Sequence, residues 1–254
     1  MFMESMTALP LMPNFNLHSR SPMARETKAL MEATGIGLDL AYPFTLSGRS
    51  RLEDFLPAME TAAWLGAKAV NLLLYDRDPA RRFDHFAAFC VLAEDHSMRV
   101  AVEFYPPSQI GSLAAGLALV TKLGRPEAAG INVDLLHLMR SGGSLEELSA
   151  APAAYLHYAQ LCDGALPEPA PNLSLDEEAS THRLLPGEGQ FDIAGFADAL
   201  PSGIPVSIEV PRDATLLAGE TQLARARQAL RTTRESLAFN PRGRSSHRAP
   251  PAPQ

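Results

Sequence analysis

Along the chain, short apolar, β-prone runs alternate with longer stretches whose apolar residues recur every three or four positions. The first long stretch, RSPMARETKALMEATG, predicts a helix: Ser21 is placed to cap it, Pro22 fits its first turn and Gly35 closes it. IGLDLAY follows as a strand, then the helical LEDFLPAMETAAWLG with Leu56, Met59, Ala63 and Trp64 on one face. AKAVNLLLY barely alternates, as expected of a strand buried on both sides. RRFDHFAAFCVLAEDHSM is again helical, with its phenylalanines at helical spacing as core. The same rhythm continues through the strand RVAVEFY, the helix SLAAGLALVTKLG, the strand AGINVD and the short helix SLEELSAAP. The strand YLHYAQL precedes a long polar insert, PEPAPNLSLDEEASTHR, read as a loop. The helix DIAGFADAL, the strand IPVSIEV and the helix ETQLARARQALRTTRESL complete the pattern. Strand and helix in alternation with short connections predict an α/β fold with a parallel sheet wrapped in helices. An open doubly wound sheet and a closed (β/α)8 barrel both fit. The lack of a Gly-rich dinucleotide fingerprint after any strand weighs against the first.

Barrels keep their chemistry at the C-terminal ends of the strands. RVAVEFY carries Glu103 there, AGINVD ends on Asp134, YLHYAQL has Gln160 near its end and IPVSIEV has Glu209. Each has a plain reading by itself: an exposed edge carboxylate, a helix cap for Asp134, a loop-satisfying amide for Gln160. Together they place three carboxylates and an amide at one rim. Buried carboxylates are costly without a compensating charge, so the set points to a divalent cation. All-oxygen ligation favours Mg2+ or Mn2+, with Co2+ or Zn2+ also within reach of the site.

Composition narrows the function classes. The chain has 254 residues, 46% hydrophobic, and a formal charge of −7. That is ample for a core without staples. The acidity argues against a nucleic-acid partner, and no apolar run reaches the length of a membrane span. Cys90 and Cys162 form no spacing motif and suit a reducing, cytoplasmic setting. The start has no signal-peptide pattern. Residues 1–20 are expected to be poorly ordered, 21–238 to form the domain and 239–254, rich in Pro, Arg and Ser, to be a disordered tail.

Three segments then carry a resemblance. VDLLHLMRSGG, with Asp134 and His137 in an Asp-x-x-His pattern, YAQLCDG, and HRLLPGEGQFD resemble motifs of the xylose isomerase-like TIM barrels, the sugar phosphate isomerase/epimerase superfamily. The resemblance runs from about Arg25 to Leu237. It implies that Glu103, Asp134, Gln160 and Glu209 hold one divalent metal, with Gln160 where the family usually has a histidine. It implies that Glu103 and Glu209 are the acid/base pair flanking the reacting carbon, with His137 assisting and binding substrate. It implies that Arg183 clamps substrate. Gly187, Glu188 and Gly189 shape their loop. Arg140 and Ser141 fit an anion site or a simple cap equally well. His157 packs against helices, because Tyr158 shares the face of Gln160.

The activity implied is a metal-dependent isomerase or epimerase acting on a sugar or related polyhydroxy carbonyl compound by proton abstraction. A lyase resembling 3-dehydroshikimate dehydratases, in which glutamine also fills the third ligand position, is the alternative. A barrel that binds ligand without turnover is a third reading. The family's abasic-DNA endonucleases need a His-rich zinc cluster and a basic face, and the chain has neither. Only two strands precede Glu103, so the first β-α-β unit of the barrel is expected to be missing. Such an opening exposes strand edges and invites a homo-oligomer.

Overall fold

The computed structural model describes residues 1–5, 11 and 13–238. Six strands form one parallel sheet in chain order: β1 (Leu40–Leu46), β2 (Ala69–Leu74), β3 (Arg99–Glu103), β4 (Ala129–Asp134), β5 (Leu156–Leu161) and β6 (Val206–Ile208). The helices are α1 (Pro22–Thr34), α2 (Leu56–Trp64), α3 (Pro79–Asp95), α4 (Leu113–Leu123), α5 (Leu135–Arg140) and α6 (Leu145–Ala150). They continue as α7 (Leu175–Thr181), α8 (Ile193–Ala199), α9 (Asp213–Leu217) and α10 (Gln222–Ala238). The sheet curls into a half-barrel. Every residue of β2, β4 and β5 is buried, which explains their non-alternating sequences.

The outward side chains Val70, Leu72, Val100, Val102, Ile131 and Val133 join Phe86, Phe89, Leu113 and Val120 in the main core. Leu40, Ala69, Ala101 and Tyr158 form a second, separate apolar cluster. It is the floor of the concave face, and the period of two along each strand puts Asn71, Glu103, Asn132 and Gln160 in the next tier above it. His157, on the other face of its strand, is buried with Nε2 2.7 Å from the Pro126 carbonyl oxygen, as its position beside Tyr158 predicts.

The helix ends follow the sequence. Ser21 accepts from Ala24 N–H and Gly35 closes α1 in the left-handed region; Ser112 and Gly124 do the same for α4. Two elements differ from expectation. β1 runs four residues later than IGLDLAY predicts. Pro43 brings no N–H to the ladder, and the register shifts between Ala41 and Phe44 before pairing resumes. The polar insert holds α7, capped by a Ser174–Glu177 capping box.

The start of the 1–20 segment has defined pairing. Phe2 bridges Tyr42 in parallel, Met3 N–H donates to the Tyr42 carbonyl at 2.9 Å, and Met3 and Leu17 are buried in the core. It thereby extends the β1 edge of the half-barrel. The tail 239–254 lies outside the described residues. Among the described residues, no helix is long and apolar enough to cross a membrane.

Candidate metal centre and active site

The strand ends bring the expected residues to one rim. Glu103 closes β3 and Asp134 closes β4, where Asp134 also caps α5 by accepting the His137 N–H at 3.0 Å. Gln160 pairs with Asp134 in register across β4 and β5. Glu209 follows β6 and stays tied to the sheet, its N–H donating to the Leu161 carbonyl at 2.9 Å. The first turn of α5 sets the His137 ring beside Glu103, with Nε2 3.6 Å from Oε1. Donor atoms of Glu103, Asp134 and His137 lie within 4.8 Å of one another, close enough to share one cation.

Two residues that sequence reasoning passed over connect this rim. Asn71 Nδ2 donates to Glu103 Oε2 at 2.6 Å. Asn132 Nδ2 donates to Asn71 Oδ1 at 2.9 Å and also to Gln160 Oε1. Gln160 Nε2 in turn donates to Glu209 Oε2 at 2.6 Å. A chain of three amides therefore runs under the site and holds one oxygen of Glu103 at one end and one of Glu209 at the other. The geometry gives Gln160 a second part beyond the ligand role implied by the resemblance: its oxygen faces Asn132 and its nitrogen faces Glu209. Asn71 and Asn132 could have been found by the reasoning that singled out Gln160, since each is an amide inside an apolar strand run.

Arg183 is 3% exposed and sits among the carboxylates. Its Nη1 lies 2.5 Å from Asp134 Oδ2 and 3.6 Å from Glu209 Oε2, while Nε donates to the Ala179 carbonyl at 2.9 Å. These neighbours sort the protonation states. Burial would raise Asp134, but the adjacent guanidinium outweighs it and brings the carboxyl down to about 2. Burial raises Glu209 to about 7 against the weaker pull of the more distant Arg183. Glu103, buried and facing the charges of Glu209 and Asp134, is pushed well above the carboxylate range. Burial also lowers His137 to about 4, so its imidazole is neutral and able to ligate.

A group raised in the folded state binds its proton there more tightly than in the unfolded chain. For Glu209 this makes the metal-free protein lose stability as pH rises from the ordinary 4.5 through about 7. Denaturant titrations of chelator-treated protein should give a lower midpoint at pH 8 than at pH 5, and Glu209→Gln should flatten that slope. Asp134 acts oppositely: its stabilisation is present above 3.8 and is lost as pH falls through about 2.

A cavity of about 380 Å3 opens above the rim, lined by Phe2, Tyr42, Tyr75 and Tyr105 together with Glu103, His137, Arg183 and Glu209. One wall is α7, which supplies Asp176, Ala179 and Ser180. Tyr105 Oη donates to Asp176 Oδ1. Arg140 grips buried Glu178 of α7 through two bonds of 2.7 Å and donates to the Ala165 carbonyl, so it anchors that wall and is not an anion site. Ser141 Oγ donates to the Leu138 carbonyl.

The loop around Gly187 is built on Asp163, a residue that sequence reasoning did not single out. Its Oδ1 accepts from the N–H groups of Gly164 and Phe191, and its Oδ2 from those of Gly187 and Gly189. Gly187 has φ +93°, and a Cβ on Gly189 would meet Asp163 Oδ1 at 2.4 Å. Glu188 accepts from Leu185 N–H within the loop and from Arg212 outside it.

Six parallel strands in chain order, wrapped in helices and carrying carboxylates at their ends, define a curled, partial α/β barrel. The family model for the xylose isomerase-like TIM barrel matches residues 3–235, and the chain belongs to that family. No curated protein is significantly similar to it in sequence. Among solved structures, IolI with a bound zinc atom superposes with a TM-score of 0.61 at 19% identity, over 78% of this chain and 77% of that one. D-psicose 3-epimerase in the presence of D-fructose gives 0.62 at 16% identity, over 85% and 83%. The probable 3-DHS dehydratase AsbF of Bacillus anthracis gives 0.59 at 13% identity, over 80% and 84%. The chain spans only 38% of a xylose isomerase-like TIM barrel/4-hydroxyphenylpyruvate dioxygenase fusion protein, which covers 86% of it at 19% identity and a TM-score of 0.68. At these identities the likeness is one of fold.

Proposed function

We propose that the chain is a divalent-metal-dependent isomerase or epimerase of a sugar or related polyhydroxy carbonyl compound. The observation that carries this reading is the pair Glu103 and Glu209, lining one cavity and tied to opposite ends of a single amide chain. One oxygen of each carboxylate is fixed by an amide donor. Each can then exchange a proton through the other oxygen with a carbon held between them. Burial raises both carboxyls above their ordinary range, which favours their holding and exchanging a proton.

Glu103, Asp134 and His137 fit a cation. Glu103 is a buried carboxylate that no arginine among the described residues neutralises at contact distance, and a neutral imidazole stands beside it. A bound divalent ion would polarise the substrate carbonyl and favour the enediolate. Gln160 and Glu209 complete the rim that the sequence suggested. The zinc of IolI and the sugar of the psicose epimerase support the same reading by analogy of fold.

The test is solvent-deuterium incorporation next to the carbonyl of a panel of ketoses, with chelator-treated protein before and after Mn2+ or Mg2+. Metal-dependent exchange is expected, reduced roughly 10²- to 10⁴-fold in Glu103→Gln and Glu209→Gln. No exchange with any ketose sinks the isomerase reading. Formation of protocatechuate from 3-dehydroshikimate replaces it with the lyase reading. Calorimetric metal titration should show a loss of roughly tenfold or more in His137→Ala and a smaller loss in Gln160→Ala. The reverse order would put Gln160, not His137, in the third ligand position.

A further inference from the structure

We infer that the substrate is uncharged where it meets the catalytic cavity: a neutral polyhydroxylated ketone or aldehyde, with phosphorylated and carboxylated analogues refused. This rests on the isomerase/epimerase reading of the same site and adds the charge class of its substrate. The acidic groups that line the cavity are Glu103, Glu209 and, on α7, Asp176. Among the described residues, its basic lining is Arg183 and His137 alone. His137 is buried with its ring against Tyr105 and its Nε2 toward Glu103.

Arg183 is the guanidinium that an anionic substrate would need, and it is already engaged. Asp134 and Glu209 both lie within 3.6 Å of its Nη1, and Nε is spent on the Ala179 carbonyl. Two further arginines near the site are paired as well. Arg140 is locked to Glu178, and Arg212, at the neighbouring cavity, bonds Glu188 at 2.6 Å. Recognition of a phosphate or carboxylate relies on paired guanidinium or ammonium donors, and like charges brought together in a partly desolvated pocket repel one another. A divalent ion does not invert this. With the guanidinium it opposes four carboxylates, Glu103, Asp134, Asp176 and Glu209, and leaves no surplus positive charge. The rest of the wall suits a neutral polyol. Tyr42, Tyr75 and Ser180 offer hydroxyls, and Phe2 and the tyrosine rings offer faces for C–H groups.

Calorimetric titration of the metal-loaded full chain with matched pairs tests the inference. Suitable probes are D-fructose against D-fructose 6-phosphate and D-ribulose against D-ribulose 5-phosphate, with 3-dehydroshikimate as a carboxylate and free metal held constant. At least one neutral ketose should bind, and its charged partner should bind at least roughly tenfold more weakly. Equal or tighter binding of a phosphate or of 3-dehydroshikimate overturns the inference, and so does the failure of every neutral ketose to bind. Glu209→Gln removes one wall anion and should narrow the gap within the pair; an unchanged gap would overturn the electrostatic cause. Deuterium exchange separates the two readings. A neutral ketose that binds but does not exchange removes the catalytic reading and leaves the charge class standing.

Discussion

Arg183→Met is expected to destabilise the metal-free protein by about 3–5 kcal/mol, and a divalent cation is expected to restore much of that loss. The guanidinium is buried between Asp134 and Glu209, and its removal leaves two carboxylates without their counter-charge. Asp134 responds most, because it is the group the arginine holds down at about 2. Methionine keeps much of the side-chain volume, so cavity formation contributes little and the effect reports charge. A divalent ion held by Asp134 and Glu103 would supply the missing positive charge and, by binding the folded state alone, would stabilise it by mass action. Thermal melts in chelator and in Mn2+ should show a larger metal-induced rise for Arg183→Met than for the unaltered protein. A variant as stable as the parent in chelator would mean that the carboxylates are neutralised by some other route.

Asp163→Ala is expected to cost about 3 kcal/mol or more, a fall of roughly 10 °C in melting temperature for a domain of this size. Four backbone N–H groups converge on this one carboxylate, which is 1% exposed. Alanine leaves all four without an acceptor and opens a void beside Gly189. Asp163→Asn is a sharper probe. It retains one acceptor oxygen but turns an amide NH2 toward N–H groups that need an acceptor, so a loss of about half that size is expected. If both variants melt with the parent, the loop is held by its own turn geometry and not by Asp163.

The strand–helix alternation was legible because β2, β4 and β5 are buried on both faces and their helices carry clear caps such as Ser21 and Ser112. The four rim residues were legible for the same reason: a charge or amide at the end of an apolar strand stands out against its neighbours. α7 was missed because its proline-rich approach reads as loop, although Ser174 and Glu177 spell a capping box. β1 was misplaced because a proline normally ends a strand, and here a register shift absorbs it. The partners of the site were not legible. Nothing in the spacing of Arg183 tells that its guanidinium pairs with Asp134, 49 residues away in sequence, or that Arg140 pairs with Glu178, 38 residues away. Such contacts are set by the curl of the sheet, which no local pattern encodes.

The wall formed by α7 is fastened to the rim at three points: Arg183 to Asp134, Arg140 to Glu178, and Tyr105 to Asp176. The cavity wall and the rim are therefore not separable modules in this protein. A graft that replaces residues 165–183 to change the substrate also removes the counter-charge of Asp134 and the anchor of α5. Directed evolution of new specificity would have to explore that insert together with the β4–α5 turn, because mutations in one alone carry the penalty of the broken fastening.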